Sequence, residues 1–155
     1  NRERIQFNII GTNYKLTNIQ AAVGLGQLEN IDELLNKRIR LANNYKKLIS
    51  EKEKINLPQV LNPKPNCQHS FQTYVVYVKN RDKVMKEIRA KGIEVQIGSY
   101  SLHMHRAFNN NSNVKIIGDL TNSKWCFENA LALPLYNDLT FELQEYIISE
   151  LNSCL

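Results

Sequence analysis

Two short stretches carry residue types that could do chemistry. The first is Gly11-Thr12-Asn13-Tyr14-Lys15, which runs into Leu16-Thr17-Asn18-Ile19-Gln20. Thr17 and Gln20 have the spacing of a capping box, in which two side chains satisfy backbone donors of the first helical turn. An amide, a phenol and an ammonium group just ahead of a helix start make good anion-binding material, because free N–H groups and the helix dipole attract negative charge there. The second stretch is Gly98-Ser99-Tyr100-Ser101-Leu102-His103-Met104-His105, which crowds polar and aromatic residues into a loop at a strand end. Such loops often line binding sites. Composition alone also fits a plainer reading, with Tyr100 a core-edge aromatic and His103 a hydrogen-bonded surface residue.

Other chemistries find little support. His69, His103 and His105 lack a further ligand at metal-binding spacing, so no metal is expected. Cys67, Cys126 and Cys154 are far apart and odd in number, which fits free thiols rather than a zinc knuckle or a disulfide framework. No P-loop, nucleophile elbow or dinucleotide fingerprint occurs. The net charge of +5, from 20 basic and 15 acidic residues, is spread through NKRIR, YKK, KNRDK and RAKG. These runs sit among helical repeats and read as solvated faces. A mild positive field favours anionic ligands, but without a concentrated basic stripe nucleic acid is not an expected partner. With 43% hydrophobic and 23% charged residues, 155 residues are enough for one packed domain or a little more. No apolar run approaches the ~18 residues of a membrane span, and the start lacks a secretory apolar stretch. No membrane association is expected, and the expected compartment is the cytoplasm.

These residues need elements to position them. Apolar positions from Ile19 through Ala22, Val23, Ile31, Leu34, Leu41, Tyr45 and Leu48 step by threes and fours and predict one long helix from Thr17 to about Ser50. Gly24 and Gly26 mark either a bend in it or close packing against a neighbour. Residues 51–70 hold three of the four prolines and read as a loop with a short extended piece at 55–61. FQTYVVYV (71–78) and IEVQIG (93–98) read as strands around a helix that starts near Asn80 or Asp82 and ends at Gly92. Residues 99–118 read as irregular and mobile. A helix over 119–130, a strand over 131–136 and a last helix capped by Thr140 complete the chain.

The same segments resemble one family in sequence order. GTNYKLTNIQAAVGLGQLENIDELLNKR is similar to a segment of the DegT/DnrJ/StrS sugar aminotransferases, as are HSFQTYVVYV, KGIEVQIGSYSLHMHRAF and ALALPLYNDLTFELQEYIISEL. The resemblance implies an α/β fold, with a small mostly antiparallel sheet flanked by helices and a long N-terminal helix, as in the C-terminal domain of fold-type I aminotransferases. It divides the chain into 1–30, the end of a cofactor domain with its connecting helix, and 31–155, the small domain. It implies a pyridoxal 5′-phosphate (PLP) enzyme that moves an amino group from glutamate to a nucleotide-linked keto-sugar for amino-sugar and polysaccharide biosynthesis.

Carried over residue by residue, the resemblance places Asn13 on the PLP phosphate of the other subunit of a homodimer. Tyr14, Lys15, Tyr100 and His103 fall on the substrate side, and His69 has a structural role. Lys15 stands where the family usually has arginine, and Ser101 where it often has proline. The family's Schiff-base lysine lies upstream of the first segment, so no catalytic lysine and no covalently bound PLP are expected in this chain, which alone should be inactive. Without the rest of such an enzyme, Ile19, Val23 and Leu25 should be bare. The competing expectation is a binding or scaffold module that keeps the fold and has lost catalysis.

Overall fold

The structure is a computed structural model that describes residues 14–59 and 67–155. The chain divides into two compact units, Asn1–Asp32 and Glu33–Leu155.

The first unit contains helix α1 (Asn18–Leu28). Its capping box forms as the sequence predicts: the Gln20 amide donates to Thr17 Oγ1 at 3.2 Å, and the Thr17 amide donates to Gln20 Oε1 at 3.0 Å. No residue of α1 is buried. Ile19, Val23 and Leu25 are 79%, 62% and 64% exposed. The expected single helix is interrupted. A turn at Glu29–Asn30 ends α1, and α2 (Ile31–Ile49) starts afresh. Close packing is not what the glycines serve here, since a Cβ on Gly24 or Gly26 would meet nothing within 4 Å among the described residues. Two glycines lower the helix propensity of a segment that has no burial to compensate. Asn30 then offers side-chain hydrogen bonds that compete with the helix backbone.

The second unit is built on a three-stranded sheet in the order β1-β3-β2, where β1 is Tyr74–Tyr77, β2 is Gln96–Ile97 and β3 is Ala130–Leu133. Both outer strands run antiparallel to β3. The strand–helix–strand unit predicted over 71–98 is therefore split, with β3 inserted in the gap. Tyr74 and Val76 alternate inward beside Leu131 and Leu133. They share a core with Leu41 and Tyr45 of α2, Val84 and Ile88 of α3 (Arg81–Ala90), and Ile147, Ile148 and Leu151 of α6 (Phe141–Ser153). The sequence pattern located this core correctly, but only the second half of its long apolar stripe, from Leu41 on, is buried.

Local signals explain where the helices end. Gly92 takes φ +80°. Its N–H reaches the Arg89 carbonyl and the Ile93 N–H reaches the Ile88 carbonyl, which is the Schellman pairing that closes α3. Thr140 Oγ1 accepts from the Leu143 amide at 3.2 Å and opens α6. Asn80 sits at the start of α3 in the left-handed region with φ +54° and makes no side-chain cap. Of the expected extended piece at 55–61, Asn56 pairs through its amide and carbonyl with Tyr77, and residues 60–61 lie outside the described residues.

Two polar side chains inside the core, Gln144 and Tyr45, are paired. Gln144 is completely buried; its Nε2 donates to the Leu41 carbonyl and its Oε1 accepts from Asn44, both at 2.9 Å. The Tyr45 hydroxyl donates to the Pro134 carbonyl at 3.0 Å. Burial raises the Tyr45 hydroxyl well above its ordinary value, although its contact with Gln144 pulls the other way. Burial pushes Tyr74 up to about 12.

A raised phenol pKa means that the folded state keeps its proton while the unfolded chain gives it up near 10. The stability this contributes is complete below about pH 10 and drains away as the pH climbs towards 12. We expect the unfolding free energy from urea titrations to fall between about pH 9 and about pH 11, by about 1 kcal/mol per buried tyrosine. Tyr74→Phe should flatten that fall. An unchanged pH profile in Tyr74→Phe would show that this phenol does not contribute.

Candidate functional site

The second chemical stretch leaves the sheet through a tight contact. Gly98 N–H donates to the Ala130 carbonyl at 2.9 Å. A Cβ on Gly98 would lie 2.8 Å from Val75 Cγ1 and 3.0 Å from Ala130 Cβ. Only a residue without a side chain lets the loop press against the sheet here.

Tyr100 follows, 61% exposed, with its ring 6.1 Å from Phe127 and 6.0 Å from His105. It lines a groove of about 780 Å³ together with β2, the Leu133–Tyr136 segment and Tyr146 of α6. Gln72, Glu94 and Gln96 add polar groups to this wall. An open groove with aromatic and amide groups can hold a polyhydroxylated ligand by stacking and hydrogen bonding.

His103 does not join that wall. It is half-buried, and its Nδ1 lies 2.8 Å from Ser101 Oγ, which is 3.0 Å from Ser123 Oγ. The structure thus places Tyr100 and His103 on one short segment but gives them different neighbours. The loop is also less irregular than expected. Leu102–Met104 forms a 3-10 turn and Arg106–Asn109 a short helix, α4. The Ser101 carbonyl accepts from the Met104 amide, and the His105 carbonyl accepts from the Phe108 and Asn109 amides. Local backbone pairing of this kind is what a propensity reading of an asparagine-rich stretch misses.

In the first unit Tyr14 and Lys15 are exposed, Tyr14 by 91%. Asn13 lies outside the described residues. His69 behaves as a structural residue: its Nδ1 accepts from the Phe71 amide at 2.9 Å, and its ring lies 4.4 Å from that of Phe71. Phe71 itself has φ +47°, a strained state for a bulky residue. Arg38 helps to hold it there, donating to the carbonyls of Phe71 and Gln72.

Several basic residues that read as solvated faces are in fact ties. Arg81 is 3% exposed and donates to the carbonyls of Phe127 and Ala130. Its guanidinium lies 5.6 Å from the Phe127 ring centroid. Asp82 stands 2.8 Å from its Nε, out of line for a hydrogen bond, so that contact is ionic. Arg89 likewise donates to the Val95 carbonyl. The available signal was arginine itself, whose planar fork fits backbone carbonyls where lysine's point charge does not. On the outer face of β1, Tyr77 meets Cys126 at 3.5 Å and packs edge-on to Trp125. The contact with Cys126, aided by burial, raises the Tyr77 hydroxyl to about 12.

The described residues bring together no group of three or more His, Cys, Asp or Glu that could hold a metal. No helix among them is long and apolar enough to cross a membrane.

The family model for the DegT/DnrJ/EryC1/StrS aminotransferase family matches residues 1–152. The chain belongs to this aminotransferase family. Among relatives, GDP-perosamine synthase of Caulobacter vibrioides is 32% identical over 98% of the chain and 41% of that protein. The dTDP-4-amino-4,6-dideoxy-D-glucose transaminase of Shigella dysenteriae is 25% identical over 95% of the chain and 40% of that protein. A crystal structure of a DegT DnrJ EryC1 StrS aminotransferase from Brucella abortus superposes with a TM-score of 0.78 at 26% identity, covering 97% of this chain and 39% of that one. The structure of S. venezuelae DesV in complex with a ketimine intermediate has the same fold, with a TM-score of 0.80 at 22% identity over 99% of this chain. The chain spans about 40% of the length of the curated relatives it matches. The mixed α/β fold with its small antiparallel sheet is the one found in these aminotransferase structures.

For this family member the position of Tyr100 depends on Gly98. Gly98→Ala forces a methyl group into Val75 and the Ala130 backbone, an overpacking worth about 1–3 kcal/mol. We expect a lower melting temperature and a shifted Tyr100 ring environment in NMR spectra. A Gly98→Ala chain with unchanged stability and unchanged Tyr100 resonances would contradict the role assigned to this contact.

Proposed function

We propose that this chain is the C-terminal part of a PLP-dependent aminotransferase that moves an amino group from glutamate to a nucleotide-linked keto-sugar. The product would serve amino-sugar and polysaccharide biosynthesis in the cytoplasm. The observation that carries this reading is the similarity to GDP-perosamine synthase along 98% of the chain. In this reading PLP, when bound, supplies the electron sink, and the protein supplies orientation and charge.

The roles of this chain's residues follow from their chemistry. The Asn13 amide is a neutral two-donor group suited to the PLP phosphate of the other subunit of a homodimer. Tyr14 and Lys15 are exposed, as groups that wait for a ligand or a partner surface would be. Lys15 brings charge without the bidentate fork of an arginine, so it attracts a phosphate without fixing its plane. Tyr100 offers a face and a hydroxyl to the sugar nucleotide from the groove wall, and His103 offers a ring nitrogen from the same loop.

The described residues that line the groove include no lysine. In this reading the Schiff-base lysine is supplied from outside these 155 residues, and the chain alone is inactive. Treating the isolated chain with PLP and then borohydride should leave no single lysine selectively modified, as read by peptide mass spectrometry. Stoichiometric reduction onto one particular lysine would overturn this assignment.

A further inference from the structure

The chain bends at Gln72 and Thr73, just ahead of β1. Phe71 before them holds the φ of +47° that is strained for a bulky residue. Side chains keep this bend in place. Arg38 of α2 donates from Nε to the Phe71 carbonyl at 3.1 Å and from Nη2 to the Gln72 carbonyl at 2.6 Å. The Phe71 amide donates to His69 Nδ1 at 2.9 Å. The Phe71 ring lies 6.3 Å from that of Tyr74, which stacks on the buried Tyr45. Backbone strain persists only where its surroundings over-determine it, and it clusters where ligands are clamped. Had β1 continued through Gln72 and Thr73, their side chains would point to opposite faces of the sheet. Bent, both line the groove that Tyr100 also lines.

The lining of that groove selects what it can hold. Gln72 and Gln96 carry carboxamides, which both donate and accept. Tyr100, Tyr136 and Tyr146 add rings and hydroxyls. Tyr100 is backed by Phe127 of α5 (Thr121–Asn129), ring to ring at 6.1 Å. Among the described residues, the one charged side chain on this lining is Glu94. A diphosphate calls for cations, and a carboxylate without one repels it. A sugar calls for what is there: carboxamides for its hydroxyl groups and aromatic rings for its apolar face.

We propose that Gln72 is a specificity-determining residue that hydrogen-bonds the sugar of a sugar nucleotide while the diphosphate lies outside the groove, and that Arg38 is the positioning residue that aims it. The sugar contact rests on the functional reading above; the bend and the grip of Arg38 on it do not. Arginine suits this task because its planar fork reaches two neighbouring carbonyls at once, where lysine offers a point charge.

NMR of the full 155-residue chain reads the grip. A positive φ brings a residue's own amide and α protons close together, so Phe71 should show a strong intraresidue Overhauser peak. That peak should weaken in Arg38→Lys while β1 keeps its strand signals. A Phe71 peak indifferent to Arg38→Lys would overturn the positioning role, whatever the enzyme acts on. In the full-length enzyme, calorimetric titration with GDP-, UDP- and dTDP-glucose, each beside its free nucleoside diphosphate, reads the sugar contact. For the nucleotide sugar that the wild type binds most tightly, Gln72→Ala should raise Kd about three- to tenfold, as the loss of one hydrogen bond gives. The Kd of the free diphosphate should stay unchanged. Arg38→Lys should raise the same Kd and add nothing further in the Gln72→Ala background, a coupling that a merely structural loss would not show. Gln72 is exposed, and Gln72→Ala carries the test should Arg38→Lys fail to fold. Equal weakening of the nucleotide sugar and the free diphosphate would put the phosphates in the groove and overturn the proposal, as would a nucleotide-sugar Kd untouched by Gln72→Ala. A wild type that binds none of the three would sink the functional reading, and the sugar contact with it, and leave the Phe71 result standing.

Discussion

The larger unit depends on one constraint: β3, the last strand to be made, must enter between two strands already present. All four of its residues are buried, and its backbone pairs on both edges. Its two faces have different demands. Leu131 and Leu133 face the helical core, while Ala130 and Ala132 lie opposite Tyr77 and Val75 on the other face. At Ala130 a small residue is needed because the Gly98 backbone presses against it. Large residues there would push the site loop off the sheet, since cores are packed too densely to absorb added volume without strain.

Ties to backbone carbonyls lock this arrangement. Arg81 joins the start of α3 to the end of α5 and the first residue of β3. Gln144 joins α6 to α2, and Tyr45 joins α2 to the segment after β3. In each case a long polar side chain that enters the core finds a backbone carbonyl for its own donor, and a buried donor left unpaired costs about 1–3 kcal/mol. The outer edge of β1 is partly covered by Asn56, which removes two free backbone groups from a strand edge. The groove beside Tyr100 is thus built on a sheet held from both faces, and its loop is anchored at Gly98 and again at Ser101.

Much of this was legible in the sequence where a local chemical rule applies. Thr17 with Gln20, Gly92 and Thr140 each ended or began a helix where their side chains or backbone freedom required it. The β-branched and aromatic run FQTYVVYV marked a strand, although its burial alternates, and the family segments pointed to the loop carrying Tyr100 and His103. What stayed hidden depends on distant partners. The interruption at Glu29–Asn30 needed the knowledge that α1 has no buried face. The burial of Arg81 needed the carbonyls of Phe127 and Ala130, more than forty residues away. Strand β2 is only two residues long because Gln96 and Ile97 alone pair with β3, and no propensity in IEVQIG marks that limit. The link from Ser101 to Ser123 joins residues whose types are common and whose spacing carries no periodic signal.

The sheet sets the site loop in place before any ligand arrives. Amide hydrogen exchange in the free chain tests this most directly. The Gly98 and Met104 amides, bonded to the carbonyls of Ala130 and Ser101, should exchange slowly and lose protection together with β3. Exchange at Gly98 and Met104 as fast as at exposed Tyr14 and Lys15, with β3 still protected, would contradict it.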